Sequence, residues 1–373
     1  MNHSMASKLF SHLSQTEFGD LSQAKTEMSS KYLRPHASVQ AASARGRVAA
    51  FRAAPVSTAT QNVLGVGVDE KYVDGIPTGV MSIKFLVRAK TAKSALSKSD
   101  LLPSAIAGIP TDVEEVGMIV PLAAKKAASA AAAVFPNPRL RKRPFQPGSS
   151  VGFREPADEF VMAGTFGALV KDAAGQLYLL SNNHVLAFEN GVEADGVTKR
   201  EVLSKGAPIF QPGFLDGGKP STDKVAELTR WIDLRADRPD NLVDAAIAKV
   251  LAKSNVKPEI LFIGAPTGSK AAAKDMTVHK FGRTTSYRAG RVSSVFFDVT
   301  VPYEVGDVMF TDQIAIRGLN GKRFSDSGDS GSTILERSTN KVVGLLFAGA
   351  TNGSLTFANH IADVLAQLKV RLV

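Results

Sequence analysis

The chain has 373 residues, no cysteine, 45 Lys+Arg against 35 Asp+Glu, and 44% hydrophobic residues. Zero cysteines exclude a disulfide scaffold, an iron–sulfur cluster, a thiolate zinc site and a cysteine nucleophile. The formal +10 is uneven: +4 over residues 1–59, −1 over 60–121, +6 with no acid over 122–148, and only +1 over 149–373. The basicity sits in a tail and a linker. With the remainder near neutral and no aromatic-studded basic patch, the pattern argues against a nucleic-acid partner. No apolar run reaches the roughly 18 residues that cross a bilayer. The N-terminus, with Lys8, Glu17, Asp20 and Lys25 spaced through polar sequence, carries no signal core. The expectation is a cytoplasmic protein with no membrane partner.

Residues 1–59, rich in Ser, Ala and Gln, read as a flexible arm with a short helix near Leu9–Leu13. From residue 60 to 122 a small α/β module is expected. The β-rich runs Val63–Val68 and Val80–Val87 form a hairpin, Leu101–Ile109 a short helix and Thr111–Val120 a returning strand. Residues 123–148 read as a basic, Pro/Ala-rich linker: Pro136, Pro138, Pro144 and Pro147 stiffen it and Arg139, Arg141, Lys142 and Arg143 keep it solvated.

Over 149–373 short β segments dominate, among them Gly164–Val170, Leu177–Ser181, Val243–Val250, Arg291–Val301 and Val342–Phe347. Many short strands at this spacing suit a β-barrel or sandwich. Ile361, Val364, Leu365 and Leu368 then mark an amphipathic C-terminal helix, with Asn359 placed to cap it.

Gly328-Asp329-Ser330-Gly331-Ser332 has the chemistry of a nucleophile loop. Glycines permit a tight turn and close substrate approach, and the Gly328 and Ser330 N–H groups can face a developing oxyanion. Such a string alone is also a common surface loop. Of the six histidines, His3, His12 and His36 lie in the arm, while His279 suits a structural role and His360 a capping or surface one. His184 follows the apolar strand Leu177–Ser181 and is placed as a general base, although a core histidine is an equal reading in isolation. Asp244 is the single acid in the apolar run Leu242–Ala248, so it needs a partner once buried. Jointly the three fall in the order His184, Asp244, Ser330, the chain order of chymotrypsin-type peptidases.

On these residues the region 149–373 resembles a trypsin-like (chymotrypsin-fold, S1-type) serine peptidase, closest in flavour to the cysteine-free bacterial trypsin-like proteins and the plant narrow-leaf type. Leu179–Val185 matches the family's histidine strand, Val243–Ile247 its aspartate motif and Gly328–Gly331 its serine loop; Val342–Gly349 resembles the strand walling the specificity pocket. The resemblance implies a mainly β, chymotrypsin-like double β-barrel with a C-terminal helix, acting on protein or peptide substrates without metal or organic cofactor. It implies His184, Asp244 and Ser330 as catalytic residues, Gly328 and Ser330 as the oxyanion hole, and Phe324, Phe347, Ala348 and Gly349 around the specificity pocket. Three departures stand out. Phe347 replaces the serine whose hydroxyl usually supports the aspartate, so another donor is required. Phe324 replaces an acid at the pocket floor, favouring an apolar side chain. Asp329 stands where secreted zymogens pair the residue with a new N-terminal amine; here either other contacts hold the loop active or cleavage in the basic linker switches it on. The alternative is a catalytically silent barrel serving as a binding scaffold. The segments before the barrel are expected to regulate it.

Overall fold

The computed structural model describes residues 13–33, 58–122, 135–154, 161–194 and 199–373. Its first element is an 18-residue helix, α1 (Gln15–Tyr32), where the sequence suggests a flexible arm. The Ser14–Glu17 capping box starts it, with the Glu17 amide donating to Ser14 Oγ at 3.2 Å. Phe18, Leu21, Ala24, Met28 and Tyr32 then bury one face. Their helical spacing is diluted by Ser, Gln and Lys, which hides the period in composition. Of the expected Leu9–Leu13 helix, all but Leu13 lies outside the described residues.

The hairpin of β1 (Val63–Val73) and β2 (Ile76–Val87) forms as expected, pairing Val66 with Phe85 and Val68 with Ile83. The expected helix at 101–109 does not. That stretch holds the two-residue β3 (Ala105–Ile106), closed onto β4 (Ile109–Glu115) by a tight turn with Ala107 and Gly108 at positive φ. Nor is 111–120 one returning strand: β4 runs parallel to β2, and the chain turns at Gly117 into a separate β5 (Ile119–Pro121).

The first barrel comprises β6 (Ser150–Phe153), β7 (Gly164–Thr165), β8 (Ala168–Lys171), β9 (Leu177–Ser181), a side hairpin of β10 (Val192–Ala194) and β11 (Lys199–Glu201), then β12 (Pro208–Phe210), β13 (Lys224–Trp231) and β14 (Ala246–Val250). Hydrogen bonds link them in the order β8-β9-β14-β13-β12-β6-β7. Only Phe166 and Gly167 separate β7 from β8. Counted as one bent strand, these two close a six-stranded ring around Phe153, Phe166, Leu179, Ile209 and Leu228.

The second barrel comprises β15 (Thr277–Gly282), β16 (Ser286–Tyr303), β17 (Gly306–Gly318), β18 (Thr333–Glu336), β19 (Val342–Ala350) and β20 (Thr356–His360). The order β15-β18-β19-β20-β17-β16 closes through a β15–β16 pairing, again a ring of six. The C-terminal helix α2 (Ile361–Leu368) buries Ile361, Val364 and Leu368 in one cluster with Leu180 of the first barrel and Leu335 and Leu345 of the second. The last strand, β21 (Arg371–Leu372), pairs with β8. The protein is the mainly β double barrel expected from its sequence.

The N-terminal strands are continuous with this scaffold. β1 pairs antiparallel with β16 (Gly65 opposite Val299, Gly67 opposite Phe297), so β1 to β4 extend the sheet of the second barrel. Gly67 permits this approach, because a Cβ there would lie 2.2 Å from the Phe297 ring. The described part of the supposed linker, 135–148, is also packed. Phe145 is buried, Arg141 Nε meets Asp223 at 2.7 Å, and Arg143 donates to Gln211 Oε1 at 2.7 Å. Long-range acceptors at Gln211 and Asp223, invisible to a local reading, pair with charges that look like solvated ones. No helix among the described residues is long and apolar enough to cross a membrane.

Candidate active site

β9 ends at Ser181, and a helical turn, Asn183–Leu186, follows at once. It buries His184 completely beside β14, whose Ala246 pairs with Ser181. Asp244 lies two residues upstream of that pair. Its Oδ2 bonds His184 Nδ1, and its Oδ1 accepts the His184 amide at 3.3 Å. The donor missing at Phe347 is Tyr303, at the end of β16, whose hydroxyl donates to Asp244 Oδ2 at 2.7 Å. Burial and the adjacent Asp244 push the Tyr303 phenol well above its usual range, which keeps it protonated and a donor. Sequence reading missed Tyr303: it lies 59 residues from Asp244 and ends an apolar strand, with nothing local to mark it.

The backbone around Asp244 is fixed as well. Its amide donates to Asn359 Oδ1 at 3.0 Å and its carbonyl accepts from Asn182 Nδ2 at 2.7 Å. Asn359 therefore serves Asp244 and does not cap α2, whose N-cap is His360 without a side-chain cap bond. His360 is buried with Nε2 3.1 Å from the Val295 carbonyl, and His279 Nε2 lies 3.1 Å from Asn340 Oδ1. Burial lowers the pKa of both. A surface role for His360 is thus replaced by a structural one.

Ser330 stands between β17 and β18 in a loop organised by the fully buried Asp329. Lys280 Nζ lies 2.9 Å from Asp329 Oδ2, while the Thr284 and Thr285 amides donate to Oδ1 at 2.9 and 3.1 Å. Burial raises the Asp329 carboxyl, but Lys280, the Thr285 hydroxyl and the Thr284 amide outweigh it and hold the group below the usual carboxylate range. The loop thus takes its counter-charge from Lys280. Thr165 ties this loop to the end of β9: its amide donates to Ser330 O at 2.8 Å, its hydroxyl to Gly328 O at 3.1 Å, and its carbonyl accepts from Ser181 Oγ at 2.8 Å.

The Gly328 and Ser330 amides converge on one oxygen, the carbonyl of Leu122; the Ser330 contact is 3.4 Å. Gly328 sits at φ 101°, a region open to glycine, which turns its N–H inward. Ser330 Oγ donates to the Phe347 carbonyl at 3.0 Å. His184 Nε2 is buried without a partner among the described residues. Asp244 and His184 are thus joined, whereas the bond between Ser330 and His184 is not made in this rotamer.

The residues assigned to the specificity pocket divide. Phe324 is buried in the cluster that also holds Leu122, Val343 and Leu346. Ala348 and Gly349 pair with Pro121 and Val120 of β5. A Cβ on Gly349 would lie 2.9 Å from Leu122 Cδ1, so glycine leaves room for that side chain. The Phe347 ring turns away to pack on Phe310 at 4.7 Å, in the cluster that includes Tyr303. Phe347 is the extra residue at a register shift between Leu346 and Ala348, and its carbonyl accepts from the Ser330 hydroxyl and the Leu122 amide.

No family model and no curated protein matches the chain. Among solved structures it is similar to Thermobifida fusca protease A at 19% identity, with 61% of this chain and 97% of that chain covered and a TM-score of 0.41. It is similar to Nocardiopsis protease at 15% identity, with 61% and 99% covered and a TM-score of 0.41. A glutamic-acid-specific serine protease gives 15%, 61% and 100%, with a TM-score of 0.42. Elsewhere, an apolar cavity of about 240 Å³ lined by Ala59, Val63, Val87, Leu101 and Leu102 contains no histidine. Among the described residues no group of three or more His, Asp or Glu is placed to hold a metal ion.

Proposed function

We propose that the protein is a serine endopeptidase acting by acyl transfer. The observation that carries this reading is the convergence of the Gly328 and Ser330 amides on a single peptide carbonyl beside the Ser330 hydroxyl. Such donors stabilise an oxyanion more strongly than a neutral carbonyl, and that difference accelerates the reaction. In this reading Ser330 Oγ leaves the Phe347 carbonyl, swings to His184 Nε2 and attacks. His184 takes the proton and returns it to the leaving amine, while Asp244, held by Tyr303, orients the imidazole. The pocket around Phe324 and Gly349 favours an apolar residue on the acyl side of the cut bond.

The Ser330–Phe347 bond favours a second reading, a barrel that binds peptides without cutting them. A fluorophosphonate probe separates the two. An adduct on Ser330, lost in Ser330→Ala and in His184→Ala, is expected from the peptidase. Absence of that adduct from the wild type, and from a Leu122→Asp chain whose pocket holds the strand less tightly, would overturn it.

A further inference from the structure

Residues 119–122 occupy the site as an extended peptide. β5 runs antiparallel to β19, with Ile119 opposite Ala350, Val120 opposite Gly349 and Pro121 opposite Ala348. Adding a strand to a sheet edge is how peptide ligands are commonly held. The pairing continues to Leu122, whose amide donates to the Phe347 carbonyl at 3.2 Å. Its side chain is 7% exposed and sits over Gly349. Its carbonyl oxygen takes both N–H donors of the serine loop. Backbone pairing, side-chain pocket and carbonyl cradle thus agree on one residue. Ser330 Oγ already bonds the same Phe347 oxygen that receives the Leu122 amide, so nucleophile and leucine share an acceptor.

We propose that the peptide bond following Leu122 is a substrate of this site, cut in cis by Ser330; this rests on the peptidase reading above. The Ser330 Oγ–C bond to Leu122 forms as the hydroxyl proton passes to His184 Nε2. The C–N bond to Ala123 breaks as that nitrogen takes the proton back. Water then hydrolyses the acyl-enzyme, giving a carboxylate on Leu122, an amine on Ala123 and free Ser330. The new carboxylate stays under the Gly328 and Ser330 amides, so residues up to Leu122 remain as a product-like plug. The same geometry defines the substrate class: peptides with leucine, or an unbranched apolar residue of its size, on the acyl side.

The test follows the purified full-length chain by intact mass and terminal sequencing over time. Two fragments are expected, one ending at Leu122 and one beginning at Ala123, formed at a first-order rate that does not vary with protein concentration. Ser330→Ala remains one chain. Leu122→Met is cut within a few-fold of the wild-type rate, whereas Leu122→Asp is cut about 100-fold more slowly, since its carboxylate must enter an apolar pocket. Circular dichroism confirms folding of each variant. A wild-type chain that stays whole while Leu122→Asp takes a fluorophosphonate on Ser330 overturns self-cleavage and leaves the peptidase standing, with 119–122 as an uncut inhibitor. A whole chain with no Ser330 adduct in any variant overturns both. A cut at another bond, a cut that persists in Ser330→Ala, or a concentration-dependent rate overturns the cis proposal.

Discussion

Asp244 has four anchors from three segments: the His184 amide and Asn182 after β9, the Tyr303 hydroxyl, and Asn359. A fully buried carboxylate costs several kcal/mol unless its lone pairs are satisfied; the His184 amide and the Tyr303 hydroxyl satisfy them, while Asn359 and Asn182 fix the Asp244 main chain and so its direction. Tyr303 bonds the same oxygen, Oδ2, that meets His184 Nδ1. In the proposed peptidase it is a positioning residue, acting on the imidazole through Asp244. Tyr303→Phe keeps the ring in its cluster with Phe310 and Phe347 and removes only the hydroxyl. A hydrogen bond to a charged group contributes roughly 1.5–3 kcal/mol. The expected result on a leucyl peptide is a kcat reduced about 10-fold or more with KM unchanged. An unchanged kcat would show that Asp244 is held adequately without Tyr303.

Among the elements, the serine loop depends on a buried pair that bridges it to β15. Asp329 and Lys280 are both fully buried, and removing one partner of such a pair typically costs about 3–5 kcal/mol. Lys280→Met should lower stability by that order in urea unfolding and abolish labelling of Ser330. The pH dependence has a definite sign. The folded Asp329 carboxyl lies below its unfolded value of 3.8, so its contribution is fully present above that value and is lost as pH falls through the folded one. Melting temperature should therefore drop steeply below about pH 4; Asp329→Asn should melt lower at neutral pH and show a flatter acid limb. A second bridge joins the barrels. Arg283, after β15, grips Asp216 with Nε–Oδ2 at 2.6 Å and Nη2–Oδ1 at 2.7 Å. Neither bridge was legible in the sequence, because Lys280 and Arg283 look like ordinary charges near a strand end. What was legible followed from local chemistry: β9 from its apolar run, the Gly328 turn from its glycine, Asp244 from its isolation among apolar neighbours. What was missed depends on partners more than fifty residues away, as at Tyr303 and Asn359, or on a parallel pairing such as β4 with β2, which alternation alone does not reveal.

At the scale of the whole molecule, the segments before the barrels hold the 119–122 strand in place. Lys25 of α1 is buried 2.6 Å from Asp298 on β16 and 2.7 Å from Asp312 on β17, and lies over the Phe296 ring at 3.8 Å. Arg317 of β17 forks onto Glu114 of β4 at 2.8 and 2.6 Å. Around that fork, Lys84 Nζ lies 3.2 Å from Asp112 and 3.6 Å from Asp69, a buried cluster joining β1, β2 and β4. Between these anchors β1 pairs with β16, so Leu122 is tethered close to Ser330 and its effective concentration there is high. Under the proposed function an external peptide must displace it, whether or not the bond after Leu122 has been cut. Loosening the tether should therefore open the site without touching it. Arg317→Ala leaves Glu114 and Asp69 without their guanidinium, and Lys25→Ala leaves Asp298 and Asp312 without their ammonium. In the double variant the apparent KM for a leucyl peptide should fall about 10-fold or more with kcat preserved, because competition is removed and chemistry is not. Steady-state kinetics over a range of peptide concentrations measures both constants. An unchanged KM, in a variant whose melting temperature has dropped, would show that the strand at 119–122 holds the site without help from these anchors.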